Sequence, residues 1–133
     1  QGILTGKYST LAEVPVMQRR TRHFNCAGNP KIRHGEQGYE VETAAALERV
    51  RAVSQKHGIT MLQLAICWSV YSGVTCALAG ARNVKQMEAN VKAFDIQLND
   101  GIIEDLNEAT GILKEKLGNH FDLWESREND RTK

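Results

Sequence analysis

The sequence predicts an α/β fold, on three observations. Residues 74–79 form an unbroken run of small, mostly apolar residues, Val-Thr-Cys-Ala-Leu-Ala, the pattern of a strand buried on both faces of a parallel sheet. Four segments around that run carry helical periodicity with their own start and stop signals. Gly73 and Gly80 bracket the run, so the order is helix–Gly–strand–Gly–helix, the grammar of α/β repeats. A lone strand cannot pair its own N–H and C=O groups, and the sequence offers no second convincing one. The chain is therefore either part of a larger parallel α/β fold or a helical cluster with one odd extended segment. The repeat grammar favours the first.

The 133 residues suffice for one ordinary domain. They begin Gln1-Gly2-Ile3-Leu4-Thr5-Gly6-Lys7-Tyr8, which reads as a chain entered in the middle of an element and suggests a fragment. Seventeen lysines and arginines face sixteen acids, so no bulk field points to nucleic acid or to a membrane surface. No apolar run approaches a membrane span and no signal-peptide pattern opens the chain. Of Cys26, Cys67 and Cys76, the last two lie in apolar runs and are expected to be buried thiols in a reducing, cytoplasmic protein. The cysteines and the scattered histidines lack metal-ligand spacing, so no metal site is expected.

Residues 1–38 form a long loop punctuated by Gly2, Gly6, Pro15, Gly28, Pro30, Gly35 and Gly38, with helical turns expected near Thr10–Val14 and Met17–Arg22. The loop is basic, through Lys7, Arg19, Arg20, Arg22, Lys31 and Arg33. It is either a solvated surface loop or a flap over a phosphorylated ligand. Residues 39–118 then read helix–helix–strand–helix–helix. In the first helix Leu47, Val50 and Val53 share a face, and Gly58 stops it. Thr60 and Gln63 make a capping box for the second, with Met61, Leu64, Ala65, Trp68 and Tyr71 inward. After the strand, Asn83 caps a helix that carries Val84, Met87, Val91 and Phe94 on one face. Asn99 caps the fourth, with Ile103, Leu106, Thr110 and Leu113 inward, and Gly118 ends it. The tail, residues 119–133, is polar. It is expected to lie along a surface on Phe121, Leu123 and Trp124 and to fray after Glu125.

The chemistry is expected where the strand turns into the third helix. A Gly80-Ala81-Arg82 turn into a helix N-terminus offers backbone N–H groups and the positive end of a dipole beside a guanidinium. That is an anion site, and phosphate is its usual occupant. Singly, Lys7 and Arg82 are ordinary surface cations, and Asn83 is a cap whatever else it does. Only their conjunction on one strand–turn–helix makes a site.

Four stretches carry a family resemblance: the opening Gly-Ile-Leu-Thr-Gly-Lys-Tyr, the helix ending His57-Gly58-Ile59-Thr60, the Gln63-Leu64-Ala65-Ile66-Cys67-Trp68 segment, and Gly80-Ala81-Arg82-Asn83 running through Gln86 to Asn90. From residue 1 to about 125 the chain resembles the C-terminal part of an aldo-keto reductase, nearest the branch of general bacterial reductases and potassium-channel β-subunits. The resemblance implies the C-terminal portion of a (β/α)8 TIM barrel, with residues 74–79 as its eighth strand. It implies the cofactor-binding part of an NADPH-dependent oxidoreductase that reduces aldehydes or ketones by hydride transfer. The family's catalytic tyrosine region is absent, so this chain alone is expected to be inactive and no residue here is assigned a catalytic role.

By the same resemblance Lys7 reaches the cofactor phosphates, Arg82 grips the adenosine 2′-phosphate of NADP, and Gly80, Asn83, Gln86 and Asn90 complete the cofactor site. Arg19 or Arg20 is the arginine that the long loop supplies. Where the family has a glutamate just before the last asparagine this chain has Ala89, with its acid at Glu88. The expected partners are a small carbonyl substrate in the full protein, and the rest of the barrel or another copy of the chain to cover the strand. Two other readings are a non-catalytic, redox-sensing regulatory protein of the β-subunit kind and a self-standing helical interaction module.

Overall fold

The computed structural model describes residues 1–27 and 29–132. Gly28, named above as loop punctuation, and Lys133, the end of the tail, lie outside the described residues.

Among the described residues there are four α-helices: α1 (Glu40–His57), α2 (Met61–Tyr71), α3 (Val84–Val91) and α4 (Asp100–Leu117). Each starts and stops for a local reason. Glu40 and Glu42 open α1 and Lys56 and His57 close it, which suits the helix dipole, and Gly58 ends it at φ 64°. Thr60 and Gln63 bond reciprocally at the start of α2. Asn83 and Asn99 cap α3 and α4, accepting from Gln86 N (2.9 Å) and Ile102 N (2.9 Å).

The core lies where α1, α2 and α4 meet. Val50, Val53, Met61, Leu64, Ile102, Leu106 and Ala109 form it, flanked by Leu47, Ile59, Trp68 and Leu98. Tyr71, expected inward, is instead exposed at the end of α2. Short 3-10 turns at Ile3–Thr5, Leu11–Glu13 and Val16–Gln18 shape the N-terminal loop, and another at Lys92–Asp95 continues α3. The Cys67 thiol donates to the Ala93 carbonyl at 2.9 Å, tying that turn to α2. Burial pushes this thiol up in pKa.

The expected strand is not there. Among the described residues the only β-type pairing is an isolated parallel bridge between Arg33 and Glu125, and residues 74–81 run without regular structure. Leu78 is 98% exposed, and Cys76, expected to be a buried thiol, is exposed as well. An apolar run signals a wish for burial. It does not supply the neighbouring strands whose N–H and C=O groups a sheet needs. The fold is helical, and the expectation of an α/β fold and of a TIM-barrel portion is overturned.

Helix α3 shows the same mismatch. Its one buried residue is Asn90, while Val84, Met87, Val91 and, in the turn beyond, Phe94 all face solvent.

The tail does not fray after Glu125. Asp122 is buried and accepts two bonds from the Arg131 guanidinium (2.6 and 2.9 Å). That pairing holds its carboxyl well below the usual carboxylate range. Glu125 pairs with Arg33. The tail's buried residues are His120, Asp122 and Glu125, whereas Phe121 and Trp124, expected as anchors, are exposed.

No described helix is long and apolar enough to cross a membrane.

Candidate functional site

A cavity of about 750 Å³ opens between the first seven residues, one flank of α2 and the segment from Ala77 to Arg82. Its apolar wall is Leu62, Ala65 and Ile66, set by residue spacing along α2. The 3-10 turn Ile3–Thr5 closes another side. It sits on α2 because Gly6, at φ 75°, brings the backbone against Met61, whose sulfur would lie 3.2 Å from a Cβ there.

Five of the eight sequence-assigned residues line this cavity: Lys7, Gly80, Arg82, Gln86 and Asn90. Among the described residues Lys7 and Arg82 are its only lining residues with charged side chains, and no carboxylate lines it. The Lys7 ammonium stands over the Tyr8 ring, 4.5 Å from its centroid. Arg82 is exposed, and its backbone N–H donates to Gln86 Oε1 at 2.8 Å. Asn90 is buried and its Nδ2 donates to the Gly80 carbonyl at 3.3 Å. Asn90 therefore fixes the turn from which Arg82 projects.

The remaining three lie elsewhere. Asn83 spends its side chain on the α3 cap. Arg19 donates to the Val14 and Ala12 carbonyls (2.6 and 2.5 Å), which locks the loop on itself. Arg20 stands by the Met17 sulfur with a buried, unbonded Nε. Neither arginine lines the cavity.

The anion-binding capacity of the α3 N-terminus is smaller than the sequence implies. Two of its backbone donors, Arg82 N and Gln86 N, already bond side chains of the same turn. What remains for a ligand is carried mainly by the two side-chain cations. Of the α2 wall, Ala65 was expected in the core face and Leu62 and Ile66 went unassigned, although Leu62, Ala65 and Ser69 recur at helical spacing on a second stripe beside that face.

A second polar cluster joins the N-terminal loop to the tail. Arg22 is fully buried. Its Nε donates to Glu36 (3.0 Å) and its Nη1 to the His120 carbonyl (3.1 Å). The basic loop thus turns at least one of its cations inward, where the sequence suggested a solvated surface or a flap.

Beside it, burial and the Arg22 charge push the pKa of His23 down to about 4. Burial lowers that of His34 too, against the pull of Glu36. The His23 ring stays neutral in the fold down to about pH 4 and His34 is shifted in the same direction, so the unfolded chain binds more protons below its histidine pKa of about 6.5. Stability is fully present above pH 6.5 and declines as pH falls toward 4. We expect a loss on the order of 2 kcal/mol from His23 across that window, read from urea unfolding midpoints at pH 7, 6 and 5. His23→Gln should flatten the profile, and a wild-type profile flat over this range would exclude the effect.

With no barrel, the described residues form no barrel mouth in which a nicotinamide could face a carbonyl carbon. The expectation of an NADP-dependent reductase, whether for this chain or as part of a larger one, is corrected with the fold. No solved structure matches the chain. The model of the aldo/keto reductase family matches residues 1–110, which takes in Lys7, α2, the 74–82 segment and α3. By that match the chain belongs to the aldo/keto reductase family.

Proposed function

We propose that this chain is a non-catalytic, regulatory member of its family, cytoplasmic and nearest the branch of the channel β-subunits, which holds NADP by its phosphates. The observation that supports this reading is the charge of the cavity: Lys7 and Arg82 line it and no carboxylate does. A planar guanidinium grips a phosphate monoester through paired hydrogen bonds, and an ammonium adds a point charge for the pyrophosphate. Asn90, bonded to the Gly80 carbonyl, holds the arginine's turn in place. Without a barrel to align hydride donor and acceptor, binding itself is the output. The module reports the state of the NADP pool and does not consume it.

The test is calorimetric titration with NADPH, NADH and 2′,5′-ADP. NADPH is expected to bind more tightly than NADH, with 2′,5′-ADP competing. Arg82→Ala should weaken NADPH about 10- to 100-fold, the worth of a charge-assisted pair, and leave NADH within about twofold. Equal affinity for the two dinucleotides, or an equal loss for both in Arg82→Ala, would overturn the 2′-phosphate role. Aldehyde-dependent NADPH oxidation that disappears in Arg82→Ala would overturn the non-catalytic reading.

A further inference from the structure

The outward stripe of α3 is the largest unexplained feature of the surface. Val84, Met87, Val91 and Phe94 are 74, 52, 57 and 69% exposed. Leu78, which lines the cavity, and Tyr71, Val74 and Val70 are exposed as well. The four stripe residues expose on the order of 500 Å² together, the size of the largest apolar patch on a typical monomer, which is often functional. Solvent-facing apolar area of this extent marks an interaction surface.

The order of residues on the stripe suggests what covers it. Along α3 and the turn that continues it, the stripe runs Val84, Met87, Val91, Phe94. Turned end for end, it sets the small Val84 against the large Phe94 and Met87 against Val91. The charges beside it run Lys85, Glu88, Lys92, Asp95, all exposed. At 100° per residue these four fall on one flank of the stripe. A two-fold axis perpendicular to two antiparallel helices keeps that flank on the same side of both. Lys85 then faces Asp95 of the other copy, and Glu88 faces its Lys92. Bulk and charge become complementary under the same end-for-end reversal.

We propose that α3 and the Lys92–Asp95 turn pair antiparallel with a second copy of this chain across a two-fold axis. The interface is isologous and closed, so it gives a dimer and not a filament. It uses a face of α3 about 80° around the helix from Asn90 and does not depend on whether the cavity holds NADP.

Sedimentation equilibrium and light scattering of the full chain, from 1 to 200 μM protein by experimental choice, read the association. A concentration-dependent dimer is expected. Met87→Glu, at the centre of the stripe and half exposed, should raise the dimer Kd about 30-fold or more, as loss of a central contact does, with the circular dichroism of the wild type. Glu88→Lys should weaken the dimer about tenfold, because both symmetry-related pairs turn repulsive. Glu88→Lys combined with Lys92→Glu should return it to within about threefold of wild type. A wild-type monomer throughout that range would overturn the proposal and leave the surface to some other partner. A dimer indifferent to Met87→Glu, or a double variant no tighter than Glu88→Lys alone, would overturn it as well.

Discussion

Arg22→Ala is expected to destabilise the chain by about 3 kcal/mol, among the largest effects of any single side-chain truncation here. The guanidinium has no solvent exposure and is bonded to Glu36 and to the His120 carbonyl. The backbone of the same residue donates to Leu123 O (2.8 Å) and accepts from Tyr39 N (3.0 Å). One residue therefore joins the N-terminal loop, the entry to α1 and the tail. Removing its side chain leaves Glu36 partly buried beside a void and strips the His120 carbonyl of its donor. Breaking a buried pair typically costs 3–5 kcal/mol, and the lower end applies because Glu36 keeps some contact with water. Glu36→Gln, which retains an acceptor, should cost about half as much. Urea unfolding of the two variants and their double tests this. An Arg22→Ala loss under 1 kcal/mol would mean that the tail is held elsewhere.

How much of this could be read from the residues depends on whether the relevant partner is local. The helix boundaries were legible because Thr60 with Gln63, Asn83, Asn99 and Gly58 act on atoms within four positions of themselves. The core face of α1 was legible from spacing alone, whereas on α4 spacing gave Leu106 but not its core partners Ile102 and Ala109. The run 74–79 was misread because a strand buried on both faces and an apolar coil without neighbours have the same local composition. Only a pairing partner distinguishes them, and residues 74–81 have none here. The orientation of α3 was hidden for a related reason. Amphipathicity says which residues share a face, and it does not say that the face turns toward this chain's own core. Arg22 was illegible because an arginine in a basic loop is normally solvated, and nothing nearby in sequence announces Glu36 and His120 as its partners. Of the candidate site, the conjunction of Lys7 with the Gly80–Asn90 turn was visible. The apolar α2 wall and the inward use of Arg19 were not.

Gly38→Ala is expected to cost about 3 kcal/mol or more, and Gly58→Ala only about 1, although both glycines have positive φ. At Gly38 (φ 81°) a Cβ would fall 2.2 Å from the Phe24 carbonyl oxygen and 2.7 Å from the Asn25 nitrogen. These are backbone atoms, and Phe24 is fully buried, so the neighbour cannot rotate away as a surface side chain would. The substitution must push apart the start of α1 and the loop behind it, at the point where the Tyr39 N–H meets the Arg22 carbonyl. At Gly58 (φ 64°) nothing lies within 4 Å of a Cβ, and the cost is the left-handed backbone alone, about 1 kcal/mol. The pair separates steric exclusion from conformational preference within one chain. Thermal unfolding of both variants measures the difference. Equal losses would show that the Gly38 backbone is free to move off Phe24, and the close approach of loop to helix would then have no part in holding Arg22 in place.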